Sequence, residues 1–444
     1  MLIRFKVENF LSFNGPQELS MISGDTRNHN DHVHKFNDIS LLRMSAIYGA
    51  NASGKSNLIK AIGSSKQMIV SGIPIPSNRY FKPSLKNKDK SSYFEYEFEN
   101  DGRYYSYGFE FLLSKQRIRS EWLYELRSEG DNKVIYQRID NNITHSFEGD
   151  SKTRMDIYIK DMKNSDTTLF LKEMSRKTIA DDKSMSVFAD VFEWFSKKLN
   201  VFGTRDFSYD VLDAAEDEKD TVIRYLAALG TGITGIGDEH VQNPEEIFHR
   251  NFINDLRERM IRKNDKGSKL KVNSSSETYI ISLSESNEIT VNRRVFKHQN
   301  PDISFGTEEE SEGTQRLYNM FSMMASKAND HMYVVDELDI KLHPQLTYRF
   351  VELFIKEKAG TKNQLIFTTH ESNLMDFRLL RRDEIWFVEK GEDESSSLYS
   401  LEDFNERTDR KIDKAYLEGR YGGVPIFSTA FPPHRGDADE TLGK

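Results

Sequence analysis

The chain has 444 residues, carries 62 Lys and Arg against 71 Asp and Glu, and contains no cysteine. The missing thiols exclude disulfides, cysteine zinc sites, iron–sulfur clusters and thiol catalysis, and the formal charge of -9 argues against general coating of nucleic acid, which needs clustered Lys and Arg. With a mean hydropathy of -0.66 and no apolar run near the ~20 residues of a membrane span, the composition predicts a soluble, cytoplasmic protein of two or three units at roughly 150 residues each.

The alternation of Leu2, Ile3, Phe5, Val7 and Phe10 predicts an opening strand rather than a signal peptide. The polar stretch from Ser23 to His34 reads as a loop. A short apolar run, Leu41 to Tyr48, ends at Gly49, and Leu58, Ile59, Ala61, Ile62 and Met68 then recur at helical spacing. Residues 41–70 are therefore strand, glycine-rich loop and helix. Pro74, Pro76 and Pro83 mark another loop. From Ser92 to Asp140 the β formers, broken at Asp101-Gly102, predict an antiparallel meander with a tight hairpin.

Between about 150 and 265 the spacing becomes helical, as in Phe188, Val191, Phe192 and Phe195 and again in Val222, Ile223, Leu226 and Leu229. Sustained heptads are missing, so no long coiled coil is expected. Strands resume at Tyr279–Leu283 and Ile289–Val291. Helical and strand-like pieces then alternate: 314–328, 332–335, 345–356, 364–368 and 385–388. That order predicts an α/β core with a parallel sheet. The Pro-, Gly- and Asp-rich segment after Phe427 is expected to be a mobile tail.

Gly49-Ala-Asn51-Ala-Ser53-Gly54-Lys55-Ser56 fits G-x-x-x-x-G-K-[ST] without departure, between a strand and a helix. Glycines at this spacing let backbone N–H groups curl round phosphates, and the following helix points its positive end at them. Lys55 reaches the β- and γ-phosphates of ATP, and the Ser56 hydroxyl is a ligand for Mg²⁺. A second carboxylate is needed at the end of a buried strand. His331-Met-Tyr-Val-Val-Asp336-Glu337 supplies it. Asp336 is expected to hold Mg²⁺ through water, and Glu337 to polarise the attacking water. Consecutive acids suit water activation better than phosphoryl transfer to an alcohol, which argues against a small-molecule kinase.

Glu310-Ser311-Glu312-Gly313-Thr314 precedes a helical run and lies about twenty residues before Asp336. An isolated S-x-G is ordinarily a helix cap. Here it resembles, in divergent form, the Ser-Gly signature of ATP-binding-cassette ATPases. That resemblance implies that Ser311 and Gly313 face the γ-phosphate held by another subunit. It also assigns Asp339 to the family's D-loop, His370 to the switch histidine that contacts the γ-phosphate, and Asn57 to the phosphate-binding segment. His343-Pro344 resembles the Leu-His-Pro of structural-maintenance and overcoming-lysogenization type ATPases and is expected only to position the next helix. The family's Q-loop glutamine stays open between Gln67 and Gln116.

Ile3-Arg-Phe-Lys-Val-Glu-Asn-Phe-Leu-Ser-Phe, Gly49 to Asn57, and Leu417-Glu-Gly-Arg-Tyr-Gly-Gly-Val-Pro-Ile together look like the cassette-type bacterial ATPases found beside restriction and abortive-infection genes. The resemblance covers about 1–125 and 300–427. It implies an α/β P-loop NTPase head with an inserted helical block, head-to-tail homodimers that sandwich ATP, a role in anti-phage defence, and a separately encoded effector such as a TOPRIM-like nuclease. After His370 only 74 residues follow (444 minus 370), short for a nuclease domain of usual size, so the effector is expected on another chain.

The expected organisation is 1–150 for the N-terminal part of the head with P-loop and meander, 151–275 for a helical insertion, 276–427 for the C-terminal part of the head, and 428–444 for the tail. A DNA-repair or chromosome-type ATPase is the alternative, with nucleic acid bound along the basic run Arg257 to Lys271. A transporter's ATPase subunit fits poorly with the meander and the insertion.

Overall fold

The computed structural model describes residues 1–24, 28–127, 130–162, 166–177, 184–203, 216–263, 269–274, 277–404 and 412–421. The expected tail at 428–444 and residues 422–426 of the C-terminal motif lie outside them. The chain divides into two compact units. The first takes Met1–Val201, Asp330–Glu337 and the described part of 362–444; the second takes Phe202–Asn329 and Leu338–Thr361.

The first unit opens with β1 (Leu2–Glu8), β2 (Gln17–Ser20), the small hairpin β3 (Val33–Lys35) and β4 (Ser40–Leu42), β5 (Met44–Tyr48) and α1 (Lys55–Ser71). The meander follows as β6 (Ser92–Asn100), β7 (Arg103–Leu112), β8 (Arg117–Leu126), β9 (Lys133–Ile139) and β10 (Asn142–His145). Then come α2 (Gly149–Met162), α3 (Phe170–Met174), α4 (Ser186–Glu193) and β11 (Leu199–Phe202). The second unit contains α5 (Glu216–Ala228), β12 (Gly235–His240), α6 (Arg250–Lys263), β13 (Lys269–Ser274), β14 (Glu277–Leu283), β15 (Ile289–Lys297), β16 (Ser304–Gly306) and α7 (Glu312–Ala325). After β17 (Met332–Val335) in the first unit, α8 (Pro344–Glu357) belongs to the second. The first unit ends with β18 (Gln364–Thr368), β19 (Ile385–Lys390), β20 (Ser396–Ser400) and α9 (Ile412–Leu417).

The segment 151–275, expected as one helical insertion, is thus shared by both units, with the division after Val201. Its latter half also contains the strands β12 and β13. The segment 276–427 is shared as well, because β14 to β16, α7 and α8 belong to the second unit.

Two large sheets and the β3-β4 hairpin build the first unit. Seven antiparallel strands run in the order β10-β9-β8-β7-β6-β1-β2. The hairpin between β6 and β7 is the expected two-residue turn, with both Asp101 (φ 50) and Gly102 (φ 82) left-handed, the backbone that matches strand twist. Alternate residues Phe94, Tyr96 and Phe98 point inward, and Phe98 stacks on Trp194 at 4.2 Å between ring centroids. The second sheet has six strands, β11-β17-β18-β5-β19-β20. Its centre is parallel: β17 with β18, β18 with β5, and β5 with β19. All five residues of β5 and of β18 are buried, as expected of strands covered on both faces. Gln364, fully buried, joins the two sheets: its Oε1 accepts from Leu2 N at 2.6 Å, and its Nε2 donates to the carbonyls of Leu2 and Leu42 at 3.0 and 2.9 Å.

In the second unit β12-β15-β14-β13 form an antiparallel sheet, with β16 paired to β15. Phe248, Tyr279, Ile281 and Val291 make one core cluster. Tyr225 of α5 stacks on Phe321 of α7 at 5.0 Å, and Phe321 meets Phe350 of α8 edge-on.

Candidate active site

The phosphate loop connects β5 to α1 at the C-terminal edge of the six-stranded sheet. Gly54 caps α1 at φ 115, a backbone that L side chains rarely adopt. A Cβ there would strike the Ser396 hydroxyl and lie 2.7 Å from that of Ser12. One on Gly49 would strike the Val388 carbonyl and lie 2.6 Å from Ser53 Oγ. These two glycines are required by close approach. Ser12 and Ser396 strap the loop: Ser396 Oγ is 2.7 Å from Ser12 Oγ and donates to the Ser53 carbonyl at 2.5 Å, while Asn57 Nδ2 donates to Ser12 Oγ at 2.8 Å. Burial raises the Tyr416 phenol above its ordinary range, against a hydrogen bond from the Gly49 backbone N–H. That bond ties α9 to the loop.

Lys55 is buried, and its ammonium donates to the carbonyls of Gly49 and Ala50 at 2.6 and 3.1 Å, which holds it over the loop. Ser53 Oγ is buried with no hydrogen-bond partner among the described residues. An orphaned hydroxyl inside a cradle that two Cβ atoms would fill is what a phosphate-binding loop requires, so the residues fit the triphosphate. Asn51 is exposed on the outer turn of the loop.

The two acids follow β17, and a hydrogen bond joins Asp336 to the start of α1. Ser56 Oγ donates to Asp336 Oδ1 at 3.1 Å, and Thr368 Oγ1 donates to the same oxygen at 2.7 Å. The Glu337 backbone N–H donates to Thr368 Oγ1 at 2.7 Å. Asp336 is buried, whereas Glu337 is partly exposed and left-handed at φ 49, a strained backbone of the kind stored at working sites. β18 lies between β5 and β17, so Thr368 bridges the loop strand and the acidic strand. His370, exposed, follows β18 at the same edge. A cavity of about 600 Å³ opens beside α1, with Ser12, Asn57, Lys60, Tyr80, Lys82 and Lys390 among its walls.

Gly54→Ala should destabilise the protein by about 2 kcal/mol or more through backbone strain and the clash with Ser396. Thermal denaturation and titration with a fluorescent ATP analogue would register the loss of stability and of binding together.

In the second unit, Ser311 is the N-cap of α7: its Oγ accepts from Thr314 N at 3.1 Å. A Cβ on Gly313 would lie 3.0 Å from the Lys341 carbonyl, and Lys341 pairs with Glu312. The turn that begins at Asp339, where Leu342 N donates to the Asp339 carbonyl at 3.1 Å, is thereby held against the start of α7. His343 caps α8, with Nδ1 accepting from Gln345 N at 3.2 Å, the positioning role expected of it.

The basic run is not one face. Lys271 is buried, donating to Asn319 Oδ1 at 3.0 Å over the Tyr318 ring. Arg257 donates to the Asn287 carbonyl at 2.8 Å, and Lys266 lies outside the described residues. Gln116 spends its amide on the carbonyls of Ile75 and Leu113, and Gln67 is exposed on α1. Ser12, Thr368 and Ser396 were not foreseen. Thr368 had a visible signal, a hydroxyl two residues before His370 at the end of an apolar run; Ser12 had only its place in the Ile3–Phe13 motif, and Ser396 had none.

A phosphate loop after β5, joined through Ser56 to Asp336 two strands away and to Thr368 on the strand between, defines a P-loop NTPase fold with a mixed sheet. The family described as "AAA domain, putative AbiEii toxin, Type IV TA system" matches residues 44–376, which is 333 of the 444 residues. The chain belongs to that family. Similar solved structures include an SMC head domain from Thermotoga maritima, at 16% identity and TM-score 0.36. Another is an SMC head bound to the C-terminal winged-helix domain of ScpA, at 14% identity and TM-score 0.42. In each case 90% of this chain and 98% of the other is covered. No curated protein matches the chain. No helix among the described residues is long and apolar enough to cross a membrane.

Proposed function

We propose that the protein is a cytoplasmic, Mg²⁺-dependent ATPase that works as a sensor or switch in bacterial anti-phage defence. The observation that supports the activity is the hydrogen-bonded set of Ser56, Asp336, Thr368 and the Glu337 backbone N–H, because a hydroxyl and consecutive acids beside a phosphate loop are the residue types that metal binding and water activation need. Ser56 and Asp336 are the residues that would hold Mg²⁺, which neutralises charge on the β- and γ-phosphates when bound. Backbone N–H groups of Gly49 to Ser56 cradle the phosphates, and Lys55 supplies a fixed positive charge. The cationic cavity beside α1 receives the nucleoside. Glu337 accepts a proton from the attacking water, and His370 donates to the γ-phosphate side.

Ser311, Gly313 and Asp339 meet the nucleotide of a second copy in a head-to-tail homodimer. The family's description as a putative toxin of a type IV toxin–antitoxin system supports the defence role. The resemblance of the chain's two ends supports a separately encoded effector of the TOPRIM-nuclease type.

Phosphate release by the wild type and by Lys55→Ala under saturating MgATP tests the activity. A loss of about 100-fold or more is expected, since a preorganised charge on the transferring group is removed. Equal turnover by the two proteins would refute the ATPase reading.

A further inference from the structure

We propose that His29, Asp31 and His32 form a zinc-binding site in the first unit. This is the stretch that reads as a polar loop in the sequence. One ligating atom from each of the three lies within 4.8 Å of those of the other two, and the two imidazole rings stand 4.8 Å apart, tilted by 34°. His29 is held in a left-handed backbone, φ 54 and ψ 54, which is uncommon for a residue with a side chain.

The surroundings set both imidazoles for a metal. His29 Nε2 is 2.7 Å from the Phe377 carbonyl oxygen. A carbonyl only accepts, so Nε2 carries the hydrogen and Nδ1 of the neutral ring keeps its lone pair. His32 Nδ1 is 3.0 Å from both carboxylate oxygens of Glu384. An ionised carboxylate also only accepts, so Nδ1 carries the hydrogen there and Nε2 keeps the lone pair. Glu384 is fully buried and accepts from the Arg381 backbone N–H at 2.8 Å, so the fold fixes its direction. A buried carboxylate behind a histidine is the usual support of a metal-binding imidazole.

Asp31 is exposed, and its backbone carbonyl is anchored by Arg43 Nη1 at 2.9 Å. Two imidazole nitrogens and one carboxylate oxygen suit Zn²⁺, which takes three protein ligands and leaves a fourth position for water. In a chain without cysteine this is the donor set available to it. Bonds of 2.0–2.1 Å place tetrahedral ligands roughly 3.4 Å apart, inside the 4.8 Å span of the three ligating atoms, and Asp31, the exposed one of the three, has room to adjust.

The site is independent of the nucleotide. Glu384 immediately precedes β19, which runs parallel to β5, and the phosphate loop leaves the far end of β5. Five residues of strand separate the two ends by roughly 16 Å. The inference therefore stands or falls separately from the ATPase reading.

The test uses the full chain, stripped with EDTA and titrated with Zn²⁺ in buffer containing millimolar Mg²⁺, with metal content read by elemental analysis. One Zn²⁺ per chain is expected, with a dissociation constant of about 1 µM or tighter, and Co²⁺ in its place should give the visible absorption of a four-coordinate site. His29→Ala should weaken binding by about 100-fold and Asp31→Asn by about 10-fold; removing the Glu384 support through Glu384→Gln should cost about 10- to 100-fold. Lys55→Ala should bind zinc like the wild type. Asp31→Asn is an exposed change, so misfolding of the buried variants leaves the test intact. The proposal is overturned if the wild type takes up no stoichiometric Zn²⁺, or if His29→Ala and Asp31→Asn both bind it unchanged. Retention of Fe²⁺ or Mn²⁺ in preference to Zn²⁺ would overturn the choice of metal.

Discussion

Glu337→Gln should lower steady-state ATP turnover by about 10³-fold, the scale of a lost general base, while ATP still binds. The change is isosteric, and the bond from the backbone N–H of residue 337 to Thr368 Oγ1 does not depend on the side chain. What is lost is the ability to take a proton from water. With hydrolysis blocked, the ATP-bound form should accumulate at twice the 51.6 kDa chain mass in light scattering, as two heads close on two nucleotides. Asp336→Asn should behave differently. Asp336 accepts from both Ser56 and Thr368, so the amide disturbs the metal ligands themselves and should weaken MgATP binding along with turnover. Full turnover in Glu337→Gln would remove Glu337 from the chemistry; lost turnover without a mass change would remove the dimer.

The largest effect on stability is expected at Glu121, far from any nucleotide. Its fully buried carboxylate accepts four hydrogen bonds. Tyr107 and Tyr136 donate to Oε1 at 3.1 and 2.7 Å, and the N–H groups of Phe170 and Leu171 donate at 2.7 and 3.0 Å. The last two are orphan donors at the start of α3, so one carboxylate both caps that helix and anchors it to the meander. Burial, and then the Glu121 charge, push both phenols well above their ordinary pKa. Both therefore donate across the working pH range.

Glu121→Ala strands four buried donors and opens a cavity, and should cost about 4 kcal/mol. Tyr136→Phe removes one bond to a charged acceptor and should cost about 1.5–3 kcal/mol. Urea unfolding followed at the tryptophans, with hydrogen exchange of the Phe170–Met174 amides, would separate local release of α3 from global loss. A Glu121→Ala protein with wild-type stability would mean that the four bonds contribute nothing net.

The phosphate loop and the run from His331 to Glu337 were legible because each carries its chemistry within a few consecutive residues, framed by an apolar strand. The meander was legible for the same reason: the alternation in Phe94, Tyr96 and Phe98 and the Asp101-Gly102 turn are local. The roles of Ser12 and Ser396 were not, because they reach the loop from positions 384 apart in the chain; Ser12 lies in the Ile3–Phe13 motif, but nothing there links it to the loop, and nothing marks Ser396. The division after Val201 was also hidden. Helical spacing runs on both sides of it, and spacing reports that a face is buried without reporting against what. Lys271 shows the complementary failure: charge in a row suggests a solvated surface, yet the strand period of β13 turns this lysine inward. His29 and His32 read as loop polarity because the partners that orient them, Phe377 and Glu384, come some 350 residues later.

The strand order sets a timetable. Both neighbours of β5, namely β18 and β19, are made after residue 363. At about 5–20 residues per second, a ribosome needs roughly 16–60 s to travel from Tyr48 to Gln364. Throughout that interval the five residues of β5, all buried in the finished fold, have no strand to pair with, and the phosphate loop lacks Thr368 and, until the last part of it, Asp336. In the nascent chain the loop between β5 and α1 therefore waits for its neighbours, and β5 finds its place in the sheet only when β18 and β19 have been made.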